Sequence, residues 1–305
     1  MHSPGRLSGK ITQVYRSRSL RRLRADPASR VGLGIIVLLI VTTTVVIIDK
    51  QFLRRALITR LWGDPYMADL RSSLESPSLA HPFGTDHLGR DTLARVIYGT
   101  QTSVLVGLAS VAISLPLGTV FGMLSAYLGG TFDEIVMRIM DVFLTPPANI
   151  LALGLVGILG RGLENIILGI GIVYTPIFAR LMRGSALKIK RMEFVEAATA
   201  IGESQLNIIF RELLPNCLTP LVIQATFSIA LAIMWEAGMS FLGLGVMPPA
   251  SSWGLMLHEG QQYLREAWWL SIFPGVAIML TTLGFNLVGN GLRDALDPKY
   301  QAVQP

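Results

Sequence analysis

The sequence predicts an all-α integral membrane protein with six transmembrane helices and with its N- and C-termini in the cytoplasm. Three observations lead to this prediction. Only 15% of the 305 residues are charged and 51% are hydrophobic, whereas soluble domains carry about 25% charged residues. Long apolar runs recur along the chain, and each is long enough to cross a bilayer. Basic residues gather at the ends of these runs, where the positive-inside rule places them.

The first span follows a basic arm, residues 1–30, which holds eight Arg and Lys residues and one acid, Asp26. Residues 31–48 carry no charge, and a helix of that length reaches about 27 Å, enough for a thin span. A secretory signal peptide is the competing interpretation, but it would have an apolar core of about 7–15 residues and a cleavage site. A charged pair at 49–50 follows instead, which favours an uncleaved span with the arm in the cytoplasm.

The segment at 49–100 carries seven basic and six acidic residues, and we interpret it as extracytoplasmic with some local structure. The later apolar runs predict five more spans, at 101–128, 139–159, 163–182, 217–239 and 269–290. A five-helix core therefore covers residues 101–290, and residues 291–305 form a cytoplasmic tail.

Two details of this core predict local geometry. Gly118 and Gly122 stand four apart, and small residues at that spacing allow two membrane helices to approach closely. Residues 129–138 begin with two glycines and contain two acids, which predicts a short turn on the inner side.

The distribution of charge supports this topology. The short outer loops, at 160–163 and 240–268, hold one basic residue each, whereas the cytoplasmic segments together hold sixteen. Those cytoplasmic segments are residues 1–30, 129–138, 181–215 and 291–305. The alternation favours six spans with both termini inside.

The cytoplasmic loop at 183–215 is polar but carries two amphipathic helical patterns. Gly202 suits the left-handed cap of a first helix, and Ser204 suits the N-cap of a second. Pro215 then ends the second helix or kinks it into the next span. The apolar residues at helical spacing are Phe194, Ala197, Ala198 and Ile201 in the first helix and Leu206, Ile209, Phe210 and Leu213 in the second.

A short helix–turn–helix held close to two spans can pass motion from a cytoplasmic partner to those spans. The small side chains of Ala197 and Ala198 allow another surface to approach. An ordinary amphipathic loop lying on the membrane explains the helical pattern as well, so the periodicity alone leaves both interpretations open.

The order of motifs resembles the permease subunits of bacterial peptide-type ABC importers, the dipeptide, oligopeptide and nickel group, and within it the second-permease branch. Glu196-Ala197-Ala198, Gly202 and Leu214-Pro215 resemble that family's cytoplasmic "EAA" loop. Four other stretches resemble its further motifs. They are Arg24-Ala25-Asp26-Pro27, His81 to Asp91, Ser240 to Gly254, and Asn286 to Pro298.

The resemblance implies the type I ABC importer permease fold and an ATPase-docking role for Glu196, Ala197, Ala198, Gly202, Leu214 and Pro215. It also implies four kinds of partner: a second homologous permease, two ABC ATPase subunits, an extracytoplasmic substrate-binding protein and the lipid of a prokaryotic cytoplasmic (inner) membrane. ATP and Mg are expected on the ATPase subunits, with no cofactor on this chain. The implied substrates are di- or oligopeptides, and nickel or another small solute is the alternative within the family.

Four residues are candidates for a translocation path or gate, namely Glu236, Met239, Phe241 and Asn286. Glu236 is the most informative, because an ionisable residue at membrane depth is costly and usually faces a cavity or a partner. We expect it either to shape the outer mouth or to pair with a group on the sister permease. Asn286 either lines the path or bonds across helices.

No metal site and no catalytic residue is predicted. His81 and His87 flank Asp86, but Pro82 and Gly84 favour a structural turn over a metal site. The phosphate-binding pattern Gly-x-x-x-x-Gly-Lys-Ser/Thr does not occur in the sequence, so ATP must bind another chain. The single cysteine, Cys217, excludes an internal disulfide, and the placement of the basic residues at span ends argues against nucleic-acid binding.

Two functions of other classes remain as alternatives. A stand-alone secondary transporter would move solute when driven by an ion gradient, but no span is rich in the acids that couple protons. An intramembrane enzyme would require a nucleophile with a base, or a metal cluster, within the spans, and the sequence suggests neither.

Overall fold

A computed structural model describes residues 26–296 of the chain, and this part is built almost entirely of α-helices. Most of the basic arm and the end of the tail, residues 1–25 and 297–305, lie outside the described residues. In chain order the helices are α1 (Pro27–Gln51), α2 (Ala56–Trp62), α3 (Thr92–Leu128), α4 (Gly130–Leu144), α5 (Ala148–Leu159), α6 (Leu163–Ile189), α7 (Glu193–Ala200), α8 (Gln205–Phe241), α9 (Trp253–Gly260) and α10 (Trp269–Leu296).

Five of the described helices, α1, α3, α6, α8 and α10, are long and apolar enough to cross a membrane. Helices α4 and α5 pass the same test only as a pair, and they meet at an angle of 88°. The described part therefore holds six spans if the bent pair counts as one, and the predicted all-helical, multi-span fold is confirmed.

The third span differs from the helix predicted at 139–159. Its first half, α4, already begins at Gly130, where a turn was predicted, and the chain breaks before α5 at Pro147. Proline lacks a backbone N–H and its ring clashes with the preceding turn, which interrupts a helix. The acids interpreted as turn residues therefore lie on a helix, and Asp133 is held there by the guanidinium group of Arg183 (Nε to Oδ1, 2.6 Å).

The second span begins at Thr92 instead of Gln101 because a carboxylate caps it. Asp91 accepts a hydrogen bond from the backbone N–H of Ala94 at 2.8 Å, which satisfies one of the free donors of the first turn. Asp91 also bonds to His81 Nδ1 at 2.9 Å. The turn at 81–91 thus anchors the start of α3. The fourth span likewise runs past the predicted residue 182, to Ile189.

Close helix packing organises the bundle. Helices α3 and α6 make the most extensive contact of the described chain. A Cβ atom added at Gly122 would lie 2.3 Å from the carbonyl oxygen of Ala179, and one added at Gly118 would lie 2.4 Å from Phe178 Cβ. The predicted close approach at these two glycines is confirmed. On the opposite side of the bundle, Gly32 lets α1 pack against α10.

The bundle has two distinct ends. We call the end with residues 52–91 and 242–268 the outer end, where the N-termini of α3 and α10 meet α9. We call the end with residues 190–204 the inner end, where the C-terminus of α3 meets the C-terminus of α6. At the outer end Asp49 is fully buried and accepts a 2.6 Å hydrogen bond from Tyr98, which ties α1 to α3.

Candidate functional site

The inner end carries a rigid turn between α7 and α8. Gly202 adopts a φ of 80°, which L-residues with side chains rarely adopt. Its N–H donates to the carbonyl of Thr199, and the N–H of Glu203 donates to that of Ala198, both at 3.1 Å. This is a Schellman cap. Ser204 then accepts from the N–H of Asn207 at 3.4 Å and caps the next helix. The local geometry predicted for Gly202 and Ser204 is what the turn adopts.

The two faces of α7 differ from the single apolar stripe inferred from the sequence. Val195 and Ala198 are buried against the chain itself, so Ala198 does not lie on an exposed surface. Phe194 and Ala197 are exposed, and Ile201 at the end of α7 is 83% exposed. The stripe is divided because the helix turns Ala198 inward and the remaining apolar side chains outward.

The exposed apolar side chains continue past the turn. Leu206 and Phe210, on the first turns of α8, are 67% and 63% exposed, whereas Ile208 and Leu213 are buried. We define the inner apolar surface as Phe194, Ile201, Leu206 and Phe210. Large apolar side chains exposed on both sides of one turn are typical of an interaction surface for protein or membrane.

A groove of about 730 Å³ lies beside α7, and its lining includes Glu196, Glu203 and Lys190. The Lys190 ammonium group donates to the carbonyl of Tyr127 at 3.0 Å and lies 5.1 Å from the centre of its ring. A cation at the last carbonyls of a helix is favourable. Lys190 therefore fastens the base of the loop to the end of α3, and Glu196 presents its charge to the groove.

The second helix of the loop does not end at Pro215, which was one of the two outcomes predicted for this proline. It continues into the membrane helix, and residues Ile208–Leu213 form a π-helical segment at the junction. Pro215 cannot donate a hydrogen bond and would clash with a carbonyl four residues earlier, and a π segment adjusts the helix around it. Leu214 is half-buried and Pro215 is exposed. The part of the loop after the turn and the membrane span are thus one continuous helix, α8.

The side chain of Glu236 is fully buried among residues of this chain. Its carboxylate accepts hydrogen bonds from the hydroxyl of Ser240 at 2.7 Å and from that of Ser103 at 3.0 Å. The Ser103 hydroxyl is also 3.5 Å from the N–H of Trp253, at the start of α9. Buried carboxylates require such partners. Glu236 therefore links α8 to α3 and α9, and its partners in this structure are serines of the same chain.

The other path candidates are dispersed. Met239 is buried, Phe241 is 38% exposed at the C-terminus of α8, and Asn286 is half-buried on α10. The sequence analysis did not name Ser103 and named Ser240 only as the first residue of a motif, because a serine within an apolar run is unremarkable until a carboxylate faces it.

A second buried cluster, made of charged residues, lies at the outer end, and the sequence predicted it only in part. We define the outer ion cluster as Asp86, Arg90, Arg95 and Glu259. Arg95 Nη1 donates to Glu259 at 2.7 Å and also to Asp86, while Arg90 Nε donates to Asp86 at 2.7 Å and Nη2 to Glu259 at 3.2 Å. Both arginine side chains are at most 3% exposed. Asp86 and Arg90 fall in the motif at 81–91, but Arg95 fell in the predicted extracytoplasmic segment, and it lies on the first turns of an apolar helix because α3 begins at Thr92.

The electrostatics of the outer ion cluster favour an ion-pair assignment. Burial raises the pKa of Asp86, but Arg95, Arg90 and two backbone N–H donors outweigh it and hold its pKa below the ordinary value. Asp86, His87 and Glu259 bring ligand-type atoms within 4.8 Å of one another. A metal cation there would compete with two guanidinium groups that already neutralise both carboxylates. The arrangement ties the start of α3 to α9.

Several membrane-length helices with a capped helix–turn–helix at one end define a class of protein, the multi-pass integral membrane proteins. The structure is similar to the MetNI methionine ABC transporter in an inward-facing conformation, with a TM-score of 0.57 and 19% sequence identity, covering 67% of this chain and 98% of that one. At this identity the likeness concerns the fold alone.

Sequence comparisons define the family. Residues 118–302 match the family described as "binding-protein-dependent transport system inner membrane component". The chain belongs to this family, and the permease resemblance found in its motifs is confirmed.

Two relatives illustrate the range of similarity. The chain is 45% identical over 241 residues to the probable D,D-dipeptide transport system permease protein DdpC of Escherichia coli, covering 79% of this chain and 81% of that protein. It is 40% identical over 296 residues to a putative peptide transport system permease protein of Brucella suis, covering 96% and 94%.

Proposed function

We propose that this chain is a transmembrane permease subunit of an ATP-driven ABC importer, and that with a second permease it forms the path for di- and oligopeptides. The single observation that carries this proposal is the inner apolar surface on a rigid turn that continues directly into a membrane helix. The relatives described above are named as permeases of dipeptide and peptide transport systems, which supports peptides over nickel or another small solute.

The proposal includes partners that lie outside this chain. Two ATPase subunits bind ATP and Mg and hydrolyse the nucleotide, and this chain binds no cofactor and catalyses no reaction. An extracytoplasmic binding protein delivers the substrate to the outer end. The complex resides in a prokaryotic inner membrane with both termini of this chain in the cytoplasm, in line with the charge distribution.

The proposed mechanism is mechanical. A partner that presses on the inner apolar surface moves the first turns of α8, because Gln205–Phe241 is one rod of 37 residues and about 55 Å long. The far end of that rod carries Glu236, which is hydrogen-bonded to α3 and lies next to α9. Motion at the inner end therefore reaches the outer end through α8. In this proposal Glu196 contacts the ATPase at the groove, and Glu236, Met239, Phe241 and Asn286 shape the path or its gate.

The ATPase contact is tested by replacing Ile201 with Glu. A charge at this 83% exposed position opposes burial against a partner, so we expect the ATPase subunits to be lost on co-purification of the complex while the permease pair remains folded. Leu79→Glu is the matched control, because Leu79 is fully exposed at the outer end. If Ile201→Glu retained the ATPases as Leu79→Glu does, the inner apolar surface would not be their docking site.

The substrate class is tested with the complete transporter in proteoliposomes. We expect uptake of a labelled dipeptide that requires ATP and the binding protein, and no uptake of Ni²⁺ under the same conditions. Nickel uptake instead would reassign the substrate within the family. Uptake by this chain alone, driven by an ion gradient, would show a secondary transporter and refute the proposal.

A further inference from the structure

A small cavity lies beside the outer ion cluster, and we propose that it is a binding site for one water molecule held by Arg95, Thr92 and His87. The cavity leaves about 10 Å³ for the centre of a water-sized sphere, which is the space of one water. Its lining includes these three residues together with Asp86, Glu259 and Met256. The site belongs to no part of the proposed transport mechanism and does not depend on the substrate.

Unpartnered polar atoms carry this inference. Arg95 Nε and Nη2, Thr92 Oγ1 and His87 Nδ1 are buried and have no hydrogen-bond partner among the described residues. The side chain of Arg95 is 2% exposed and Thr92 is 0% exposed. Buried donors without partners are costly and rare in folded proteins. All four atoms belong to residues that line one cavity, so a single small ligand there would offer them hydrogen-bond partners.

The surrounding charges select a neutral ligand that both donates and accepts. The free N–H groups of Arg95 require an acceptor, which excludes a metal cation. The carboxylates of Asp86 and Glu259 line the same cavity and repel an anion such as chloride, which is also larger than the space. A water molecule accepts from the Arg95 N–H groups and donates to Thr92 Oγ1 or His87 Nδ1, and two to four such partners are typical of buried water.

The direct test is a crystal structure of the complete transporter that resolves other buried waters. We expect a water-sized peak at hydrogen-bond distance from Arg95, Thr92 and His87. An empty cavity in such a map would overturn the proposal. Crystals grown with bromide or with Mn²⁺ test whether the cavity holds an ion instead. An anomalous peak for bromide would show an anion site, and one for Mn²⁺ would show a metal site, and either would overturn the assignment of water.

A solution test uses Met256, which lines the cavity but is only 4% exposed. Radiolysis of the bound water should oxidise Met256 well above Met123, a control that is equally buried at 5% exposure and does not line the cavity. Thr92→Val removes one partner at constant shape and should lower the labelling of Met256, whereas Thr92→Ser should retain it. Equal labelling of the two methionines, or no difference between the two variants, would contradict the site.

Discussion

The guanidinium group of Arg95 lies 2.7 Å from the carboxylate of Glu259, although the two residues are 164 positions apart in the sequence. The contact joins the first turn of α3 to α9 and is buried on the Arg95 side. Removing one partner of a buried ion pair lowers the free energy of unfolding by about 3–5 kcal/mol, because the other charge is left unpaired in a poorly solvated site. We therefore expect Glu259→Gln to lower the thermal unfolding midpoint of the purified protein in detergent.

The neighbouring pair Arg55–Asp64 provides a matched control for this prediction. Its atoms are 3.7 Å apart and its side chains are 43% and 24% exposed, and such pairs contribute less than about 1 kcal/mol. Asp64→Asn should leave the midpoint close to that of the wild type. Equal shifts for the two variants would show that the outer ion cluster is no more important than a surface pair.

Gly122 should not tolerate a methyl group. A Cβ atom there would lie 2.3 Å from the Ala179 carbonyl oxygen, so Gly122→Ala must push α3 away from α6, and overpacking of this kind costs about 1–3 kcal/mol or more. Gly154→Ala is the control, because nothing lies within 4 Å of a Cβ at that helical position. The yield of monodisperse protein in detergent should fall for the first variant only, and a normal yield of Gly122→Ala would show that the helices separate easily.

The turn at Gly202 should matter for coupling more than for folding. Its φ of 80° costs an L-residue with a side chain about 1–2 kcal/mol, so Gly202→Ala loosens the turn without disturbing the bundle. We expect less substrate transported per ATP hydrolysed in the reconstituted complex. Gly184→Ala, on α6 with open space around its Cβ, should leave that ratio unchanged. A normal ratio for Gly202→Ala would remove the turn from the coupling path.

Glu236→Gln tests the proposed gate. The amide keeps the volume of the side chain, but its NH2 group cannot accept a hydrogen bond, so one of the Ser240 and Ser103 hydroxyls loses its acceptor, and a hydrogen bond of this kind contributes about 0.5–1.5 kcal/mol. We expect reduced uptake with ATP hydrolysis retained. Glu266→Gln, at an exposed position of the outer end, is the control for loss of a carboxylate. Unchanged uptake by Glu236→Gln would count against a gating role.

Local sequence signals predicted much of the architecture. Uncharged apolar runs located the spans, because the hydrophobic requirement of a bilayer is a property of consecutive residues. Gly202 and Ser204 identified the turn at the inner end, since caps depend on residue type within a few positions. Boundaries were less accurate: the start of α3 was predicted at residue 101 instead of Thr92, because the Asp91 cap was not recognised.

The sequence by itself determined that the protein is helical, spans the membrane several times and has a capped turn at the inner end. Periodicity, capping and charge bias depend only on residues close together in the sequence. Only the tertiary structure decided the contact of Glu236 with Ser103 and the pairing of Arg95 with Glu259. These features depend on which helix surfaces meet, and residues more than a hundred positions apart carry no mutual signal in a single sequence. Burial then strengthens these hydrogen bonds and ion pairs, since water no longer competes for the same groups.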